Sequence, residues 1–98
     1  MKITVMKKFN LSDVFKKSPV AFVTPLAPVC GAVSDGQEFV VDDMKMPEGF
    51  CGSAWSVIRP DVMTLAHGGN FPGYKDKGVA MVCCTNGMRP VVFKLERV

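Results

Sequence analysis

Hydrophobic and polar residues alternate at the start of the chain. Ile3, Val5 and Phe9 fall on one side of an extended segment, whereas lysines and a threonine fall on the other. A period of two residues is typical of a half-buried strand, so the pattern predicts a first strand. The next residues, NLSDVFKKS, predict a short helix, which Asn10 or Ser12 can cap.

A second alternating stretch, QEFVVD, follows the turn at Asp35-Gly36. Phe39 and Val41 lie on one face of this stretch, which predicts a second strand. Between the short helix and this strand, residues 19–36 contain three prolines and two glycines. That density predicts an irregular loop over the surface, and Cys30 lies within it.

After Ser53 the apolar residues recur at steps of three and four, which is the spacing of one helix face. That face contains Trp55, Ile58, Val62 and Leu65. The pattern stops at His67-Gly68-Gly69, which predicts the end of this principal helix. Pro60 removes a backbone donor inside the pattern, so we expect a kink or a helix broken into two pieces.

The last stretch predicts a β-hairpin, because Asn86-Gly87 suits a two-residue type I′ turn between VAMVCCT and MRPVVFKLERV. This turn places Cys83 opposite Pro90 and Cys84 opposite Arg89. Neighbouring residues of a strand point to opposite faces. The two adjacent cysteines therefore cannot easily bind one metal ion together.

Both faces of this hairpin are largely apolar. Cys84 shares one face with Val82, Val91, Phe93 and Leu95. Cys83 shares the other face with Val79, Met81 and Val92. An apolar second face needs a cover, which can be the proline-rich loop, the helix or another copy of the chain. A homodimer is therefore a candidate assembly.

Together these elements predict an α+β fold. We expect a mostly antiparallel sheet of about four strands, twisted or partly closed into a small barrel, with one principal helix and one short helix. A chain of 98 residues suits a single domain that covers residues 1–98. The expected core consists of Ile3, Val5, Phe39, Trp55, Ile58, Val62, Leu65, Val82, Val91, Phe93 and Leu95.

Composition and charge limit the location and the partners. No apolar run is long enough to span a bilayer, and no signal peptide is visible, so we expect a cytoplasmic protein without a membrane partner. In that compartment its four cysteines are thiols. The net charge is +3, and residues 1–17 hold five lysines against one aspartate. One hypothesis is nucleic-acid binding through these lysines, which are Lys2, Lys7, Lys8, Lys16 and Lys17. A solvated face explains them better, because no basic stripe interleaved with aromatic residues accompanies them.

Three motifs, MPEGFCGSAW, GGNFP and CCTNGMRPVVFKLER, resemble those of a family of small prokaryotic proteins of similar length. The resemblance covers most of residues 37–98 and implies a shared fold and a cytoplasmic prokaryotic origin. It implies no activity. The chain departs from the family pattern where Gly31 replaces a proline after Cys30 and where Gly73 stands in place of an aromatic residue after GGNFP.

The thiols are the main candidates for chemistry. Cys51 comes just before the principal helix, where unpaired backbone amides and the helix dipole favour an anion. One hypothesis is therefore a thiol-based redox or metal-binding role centred on Cys51. The alternative is a small side chain packed between Phe50 and Trp55. Cys30, Cys51, Cys83 and His67 form a ligand set of a type that suits zinc. Their scattered spacing lacks the paired knuckles of structural zinc sites, so we expect no cofactor.

The leading hypothesis is a noncatalytic binding or interaction module. No nucleophile has a base within reach, because the principal helix separates Cys51 from His67 by roughly 20 Å. Asp42, Asp43 and Glu48 follow one another in turns, where carboxylates are commonly only solvated. A ligand pocket is expected between the Cys51 turn, the helix and the HGGNFPGY loop. Its candidate residues are Cys51, Trp55, His67, Asn70, Phe71 and Tyr74.

Overall fold

A computed structural model describes residues 1–98 and has the predicted element order of β, short α, β, α, β, β. The strands are β1 (Lys2–Lys8), β2 (Glu38–Val40), β3 (Val79–Cys83) and β4 (Val91–Glu96), and the helices are α1 (Leu11–Val14) and α2 (Gly52–Ala66). The four strands form one antiparallel sheet in the order β2-β1-β4-β3. The sheet is open rather than closed into a barrel, and the predicted α+β fold is confirmed.

The central strand β1 carries the alternation only as far as a β-bulge. Ile3 and Val5 are completely buried, as predicted. The register of β1 against β4 shifts between Val5 and Lys7, and a bulge places one extra residue in a strand. Lys8, rather than Phe9, is therefore in register with the buried Val91. Phe9 does not continue the buried row, so its predicted place on the side of Ile3 is wrong.

The β3–β4 hairpin has the predicted faces but a different turn. Cys83 lies opposite Val92 rather than Pro90, which is a shift of two residues. A type I′ turn requires a positive φ at both central residues, and neither Asn86 nor Gly87 has one. The predicted two-residue turn is therefore wrong, and the strands are joined by a longer loop. Because a shift of two residues preserves the alternation, the assignment of side chains to faces is correct.

The helix α2 is one continuous element of 15 residues, although Pro60 lies inside it. Of the two effects predicted for Pro60, the break into two pieces is therefore wrong, and the kink stays a prediction. Ala54, Ile58, Val62 and Leu65 form its buried face. Trp55 is only half-buried and makes an edge-to-face contact with Phe50, with 6.2 Å between the ring centroids.

The hydrophobic core lies between α2 and one face of the sheet. It consists of Ile3, Val5, Val33, Phe39, Val41, Phe50, Ala54, Ile58, Val62, Leu65, Ala80, Val91, Phe93 and Leu95. Phe50 links several of these residues, since its ring lies 4.9 Å from Phe39 and 5.3 Å from Phe93 between centroids. Two predicted core residues, Trp55 and Val82, pack against this cluster but are only partly buried.

Most of the proline-rich loop, which is residues 19–36, and the second face of the sheet are exposed. Asn10 caps α1 in a capping box with Asp13, yet no residue of α1 is buried. Residues 19–36 contain no helix or strand, as predicted. On the second face of the sheet, Met81 and Cys83 are exposed, so neither the loop nor α2 covers it. Neither α1 nor α2 has the length and apolar composition of a membrane-spanning helix.

Candidate ligand-binding cleft

A cleft of about 310 Å³ lies beside the beginning of α2. Three parts of the chain form it: the proline-rich loop, the first turn of α2, and the end of β3 with the loop that follows. Its lining residues are Cys30, Cys51, Ser53, Ala54, Cys84, Thr85, Asn86 and Arg89. Three of the four cysteines of the chain therefore line one cavity, which we call the thiol cleft.

The first turn of α2 contributes hydrogen-bond donors without acceptors. Cys51 is the N-cap residue, with extended backbone angles, but its side chain makes no capping hydrogen bond. The first turn also contains no acidic residue. The first amides of any helix have no partner within the helix, and they give its N-terminus a partial positive charge. This end of α2 is therefore open to an anionic group.

Arg89 contributes a second donor of this kind. Its Nη1 donates to the carbonyl oxygens of Ala27 and Val29 at 2.9 and 3.1 Å. These bonds hold the guanidinium in place and attach the proline-rich loop to the beginning of β4. The Nε of Arg89 is buried and has no hydrogen-bond partner. An unpaired buried donor costs roughly 1–3 kcal/mol or more, so an acceptor at this position would be favourable.

The position of Cys30 depends on the bulge in β1. Because the bulge puts Lys8 on the core side of the sheet, its Nζ reaches the carbonyl oxygen of Cys30 at 2.9 Å. Arg89 holds the neighbouring Val29 at the same time. Two cationic side chains thus keep Cys30 beside the thiol cleft, although its own segment lies outside the sheet.

The two adjacent cysteines take different environments. The Sγ of Cys84 accepts a hydrogen bond from the amide of Val91 at 3.3 Å and packs against the core. Cys83 is exposed on the opposite face of the sheet. The prediction that these two thiols point apart is confirmed. Cys84 lines the cleft, whereas the sequence indicated only a buried hydrophobic role for it.

Most of the predicted pocket residues lie at the other end of α2, about 20 Å from Cys51 along a helix of 15 residues. There the Nδ1 of His67 bonds the carbonyl oxygen of Met63 at 2.8 Å, which fits a role in ending the helix. Phe71 packs against the core. Of the predicted pocket residues, only Cys51 lines the thiol cleft.

Asn70 and Tyr74 have roles in joining loop to sheet. The Oδ1 of Asn70 accepts hydrogen bonds from the amide of Gly78 and from Arg97, at 2.7 and 2.9 Å. The hydroxyl of Tyr74 accepts a hydrogen bond from the amide of Met81 at 2.9 Å, on the outer edge of β3. These contacts protect an edge strand rather than form a pocket.

The predicted zinc ligands are not brought together. Cys30 and Cys51 line the thiol cleft, whereas Cys83 lies across the sheet and His67 lies at the far end of α2. No group of three histidine, cysteine, aspartate or glutamate side chains is close enough together to hold a metal ion.

The predicted acidic turn is a separate feature of the surface. Asp42, Asp43 and Glu48 are exposed and line an open depression of about 270 Å³ that also contains Lys45. Asp43 and Met44 both have positive φ angles, of 51° and 58°, and the amide of Lys45 bonds the carbonyl oxygen of Asp42. The three carboxylates are therefore placed by a tight turn at the surface.

Three of the five N-terminal lysines are engaged within the protein. Lys2 forms ion pairs with Glu38 at 3.2 Å and with Glu96 at 3.8 Å. A hydrogen bond to Glu38 and the negative charges of both carboxylates raise the pKa of Lys2 above its ordinary value of 10.5. Lys7 lies over the ring of Phe9, 4.9 Å from its centroid, and Lys8 bonds the proline-rich loop. Part of the N-terminal positive charge is therefore engaged within the fold, and nucleic-acid binding by these lysines stays a prediction.

The composition of its lining limits the chemistry of the thiol cleft. No carboxylate or imidazole lines it, and its polar groups are hydroxyls, an amide and a guanidinium. The cleft combines soft, weakly polar sulfur with hydrogen-bond donors on one side. This arrangement is suited to binding a small molecule with an anionic end and an apolar body.

The chain matches no protein-family model, no curated protein and no solved structure. The function proposed below therefore depends on the residues of the thiol cleft.

Proposed function

We propose that this protein is a noncatalytic binding module whose ligand is a small molecule with an anionic group, bound in the thiol cleft. The observation that carries the proposal is the buried, unpartnered Nε of Arg89, on a side chain that lines the cleft. The open N-terminus of α2 meets the same cleft. An acceptor bound there would satisfy the first-turn amides and lie beside the guanidinium charge of Arg89.

The chemistry of the lining defines the class of ligand. A carboxylate, phosphate or sulfate group accepts hydrogen bonds from the first-turn amides of a helix and from a guanidinium. The thiols and the methyl group of Ala54 offer weakly polar contacts to the rest of the ligand. A volume of about 310 Å³ is at the small end of ligand pockets. The ligand we propose is therefore a small organic anion.

The absence of an acid or base in the lining favours binding over catalysis. General acid–base catalysis needs a side chain that transfers a proton to or from the substrate, and no carboxylate or imidazole lines this cleft. The proposal also assumes a reducing compartment such as the cytoplasm, because the lining includes three free thiols.

A thiol-based redox or metal-binding role is the second candidate. It is favoured by one observation, the convergence of Cys30, Cys51 and Cys84 on a single cavity. The two candidates differ in what happens to the sulfur atoms. Ligand binding leaves them as thiols, whereas the second role changes their covalent or coordination state.

The test of binding is a titration of the reduced, full-length chain with phosphate, sulfate, acetate and butyrate, followed by backbone amide NMR. We expect saturable shifts in the amides of Gly52, Ser53 and Ala54 for at least one anion. Arg89→Gln should abolish the saturable shifts. The matched control is Arg59→Gln, because Arg59 is exposed on α2 outside the cleft and should leave the titration unchanged. Equal shifts in the two variants, or none in the unmodified chain, would contradict the proposal.

A further inference from the structure

The three cysteines of the thiol cleft differ in how firmly they are held. Cys84 lies at the end of a paired strand, and its sulfur is bonded to the amide of Val91. Cys51 is fixed at the beginning of α2, but its side chain makes no capping hydrogen bond. Cys30 lies in residues 19–36, which belong to no strand or helix. The pair with the fewest constraints on its sulfurs is therefore Cys30 and Cys51.

We propose that Cys30 and Cys51 form a site for reversible oxidation by peroxides, closing to a disulfide that regulates binding in the cleft. The regulatory part of this inference rests on the proposed function. A disulfide requires the two Cβ atoms to come within about 4.5 Å. Any adjustment needed falls on the side chain of Cys30, because Lys8 holds its backbone carbonyl oxygen whereas its sulfur has no hydrogen-bond partner.

The chemistry has two balanced steps. The Cys51 sulfur, as its thiolate, attacks one oxygen of hydrogen peroxide. The O–O bond breaks and an S–O bond forms, which gives a sulfenic acid and a hydroxide ion. The hydroxide becomes water by taking up the proton that the Cys51 thiol released. The Cys30 sulfur, also deprotonated, then attacks the Cys51 sulfur. The S–O bond breaks, an S–S bond forms, and the departing hydroxide takes up the proton that the Cys30 thiol released, which gives a second water. The two thiols together lose two protons and two electrons, which the peroxide accepts.

The other two cysteines are unsuited to the second step. Cys83 lies on the opposite face of the sheet and cannot reach Cys51 within one chain. Cys84 would have to give up the hydrogen bond that its sulfur accepts from the amide of Val91. Closing Cys30 onto Cys51 instead joins two walls of the cavity. The oxidised cleft should therefore bind the anion at least roughly tenfold more weakly than the reduced cleft.

The test uses the full-length chain, fully reduced and then treated with hydrogen peroxide. Remaining thiols are blocked with N-ethylmaleimide, and the linked peptides are mapped by mass spectrometry. We expect one intramolecular bond between Cys30 and Cys51, reversed by dithiothreitol. Cys30→Ser and Cys51→Ser should each abolish it. Cys83→Ser is the matched control and should leave it intact, because Cys83 is exposed but outside the cleft.

Three outcomes would overturn the proposal: a bond from Cys51 to Cys84, a bond between two chains through Cys83, or oxidation of Cys51 without any bond to Cys30. The anion titration is then repeated on reduced and oxidised protein. Binding by the reduced chain without a Cys30–Cys51 bond would sink the oxidation site and leave the proposed function intact. The reduced chain could instead bind no anion and still form the Cys30–Cys51 bond on oxidation. That result would contradict the proposed function and the regulatory role, but not the oxidation site.

Discussion

The two ends of α2 differ in how fully their backbone groups are satisfied. At the C-terminal end, the Nη1 of Arg97 donates to the carbonyl oxygens of Leu65 and Gly69, both at 2.7 Å. At the N-terminal end, Cys51 provides no capping bond and no acidic side chain follows in the first turn. Helix ends are normally satisfied by side chains, water or ligands. The end that the protein leaves open is the one that forms a cavity.

Two arginines at the ends of β4 show the same contrast. Arg97 follows β4, and its guanidinium bonds the end of α2 and Asn70. Arg89 precedes β4 and bonds the proline-rich loop, but its buried Nε has no partner. An arginine therefore satisfies backbone carbonyl groups at one end of α2, whereas an arginine at the other end keeps a buried donor without a partner. For this chain, the unsatisfied donor beside a cavity indicates a binding site better than the aromatic residues of the HGGNFPGY loop do.

The largest expected effect is the loss of Arg97. Arg97→Ala removes three hydrogen bonds from a charged donor and leaves the carbonyl oxygens of Leu65 and Gly69 without that partner. We expect the free energy of unfolding to fall by about 3 kcal/mol, as measured by urea denaturation. Arg59→Ala, at an exposed position, should change it by less than about 0.5 kcal/mol. Similar values for the two variants would remove the proposed role of Arg97.

Arg89 should show the opposite balance between stability and binding. Arg89→Gln breaks two bonds to the proline-rich loop and also removes the unpartnered Nε. We expect a loss of about 1 kcal/mol in unfolding free energy, smaller than that of Arg97→Ala, because the buried donor no longer carries a cost. Anion affinity should fall at least roughly tenfold. Paired urea and titration experiments check both. A larger loss of stability than for Arg97→Ala would reverse the comparison.

A third variant makes the open end of α2 resemble the closed one. Serine is a preferred N-cap residue, because its hydroxyl accepts a hydrogen bond from a first-turn amide. Cys51→Ser should therefore raise the unfolding free energy by about 0.5–1 kcal/mol and weaken anion binding by occupying the same amide. Cys51→Ala, which cannot cap, is the control and should not stabilise the chain. If serine left both quantities unchanged, the first-turn amides would not be available donors.

The fold followed from the sequence wherever a pattern was local. The steps of three and four after Ser53 located α2, and the alternation around Phe39 located β2. The errors arose where distant residues decide the geometry. The bulge in β1 depends on pairing with β4, and the hairpin loop contains Arg89, which bonds the proline-rich loop. Local turn propensity carries no information about such contacts.

The candidate site was harder to predict than the fold. Cys51 is predictable because a helix start is visible in the sequence, but apart from Ser53 and Ala54 its neighbours in the cleft come from segments more than 20 positions away. The sequence contains one signal for the position of Arg89. The following Pro90 has no amide to donate to a sheet, so a tight hairpin at that point is unfavourable. A longer loop would have placed the guanidinium near other segments. The convergence of Cys30 and Cys84 had no local signal.

The smallest expected effect involves Lys2, which belongs to neither end of α2. Its pKa is raised in the folded chain by Glu38 and Glu96, so its ion pairs stabilise the fold fully below the unfolded pKa, about 10.5. That stabilisation is lost as the pH rises through the higher folded pKa. The difference in unfolding free energy between the unmodified chain and Lys2→Met should therefore shrink above pH 10.5. Guanidinium groups keep their charge in this range. The difference in unfolding free energy between Arg97→Ala and Arg89→Gln should consequently stay constant over the same pH series. A decline of that difference in parallel with the Lys2 effect would mean that it depends on general charge balance rather than on hydrogen bonds.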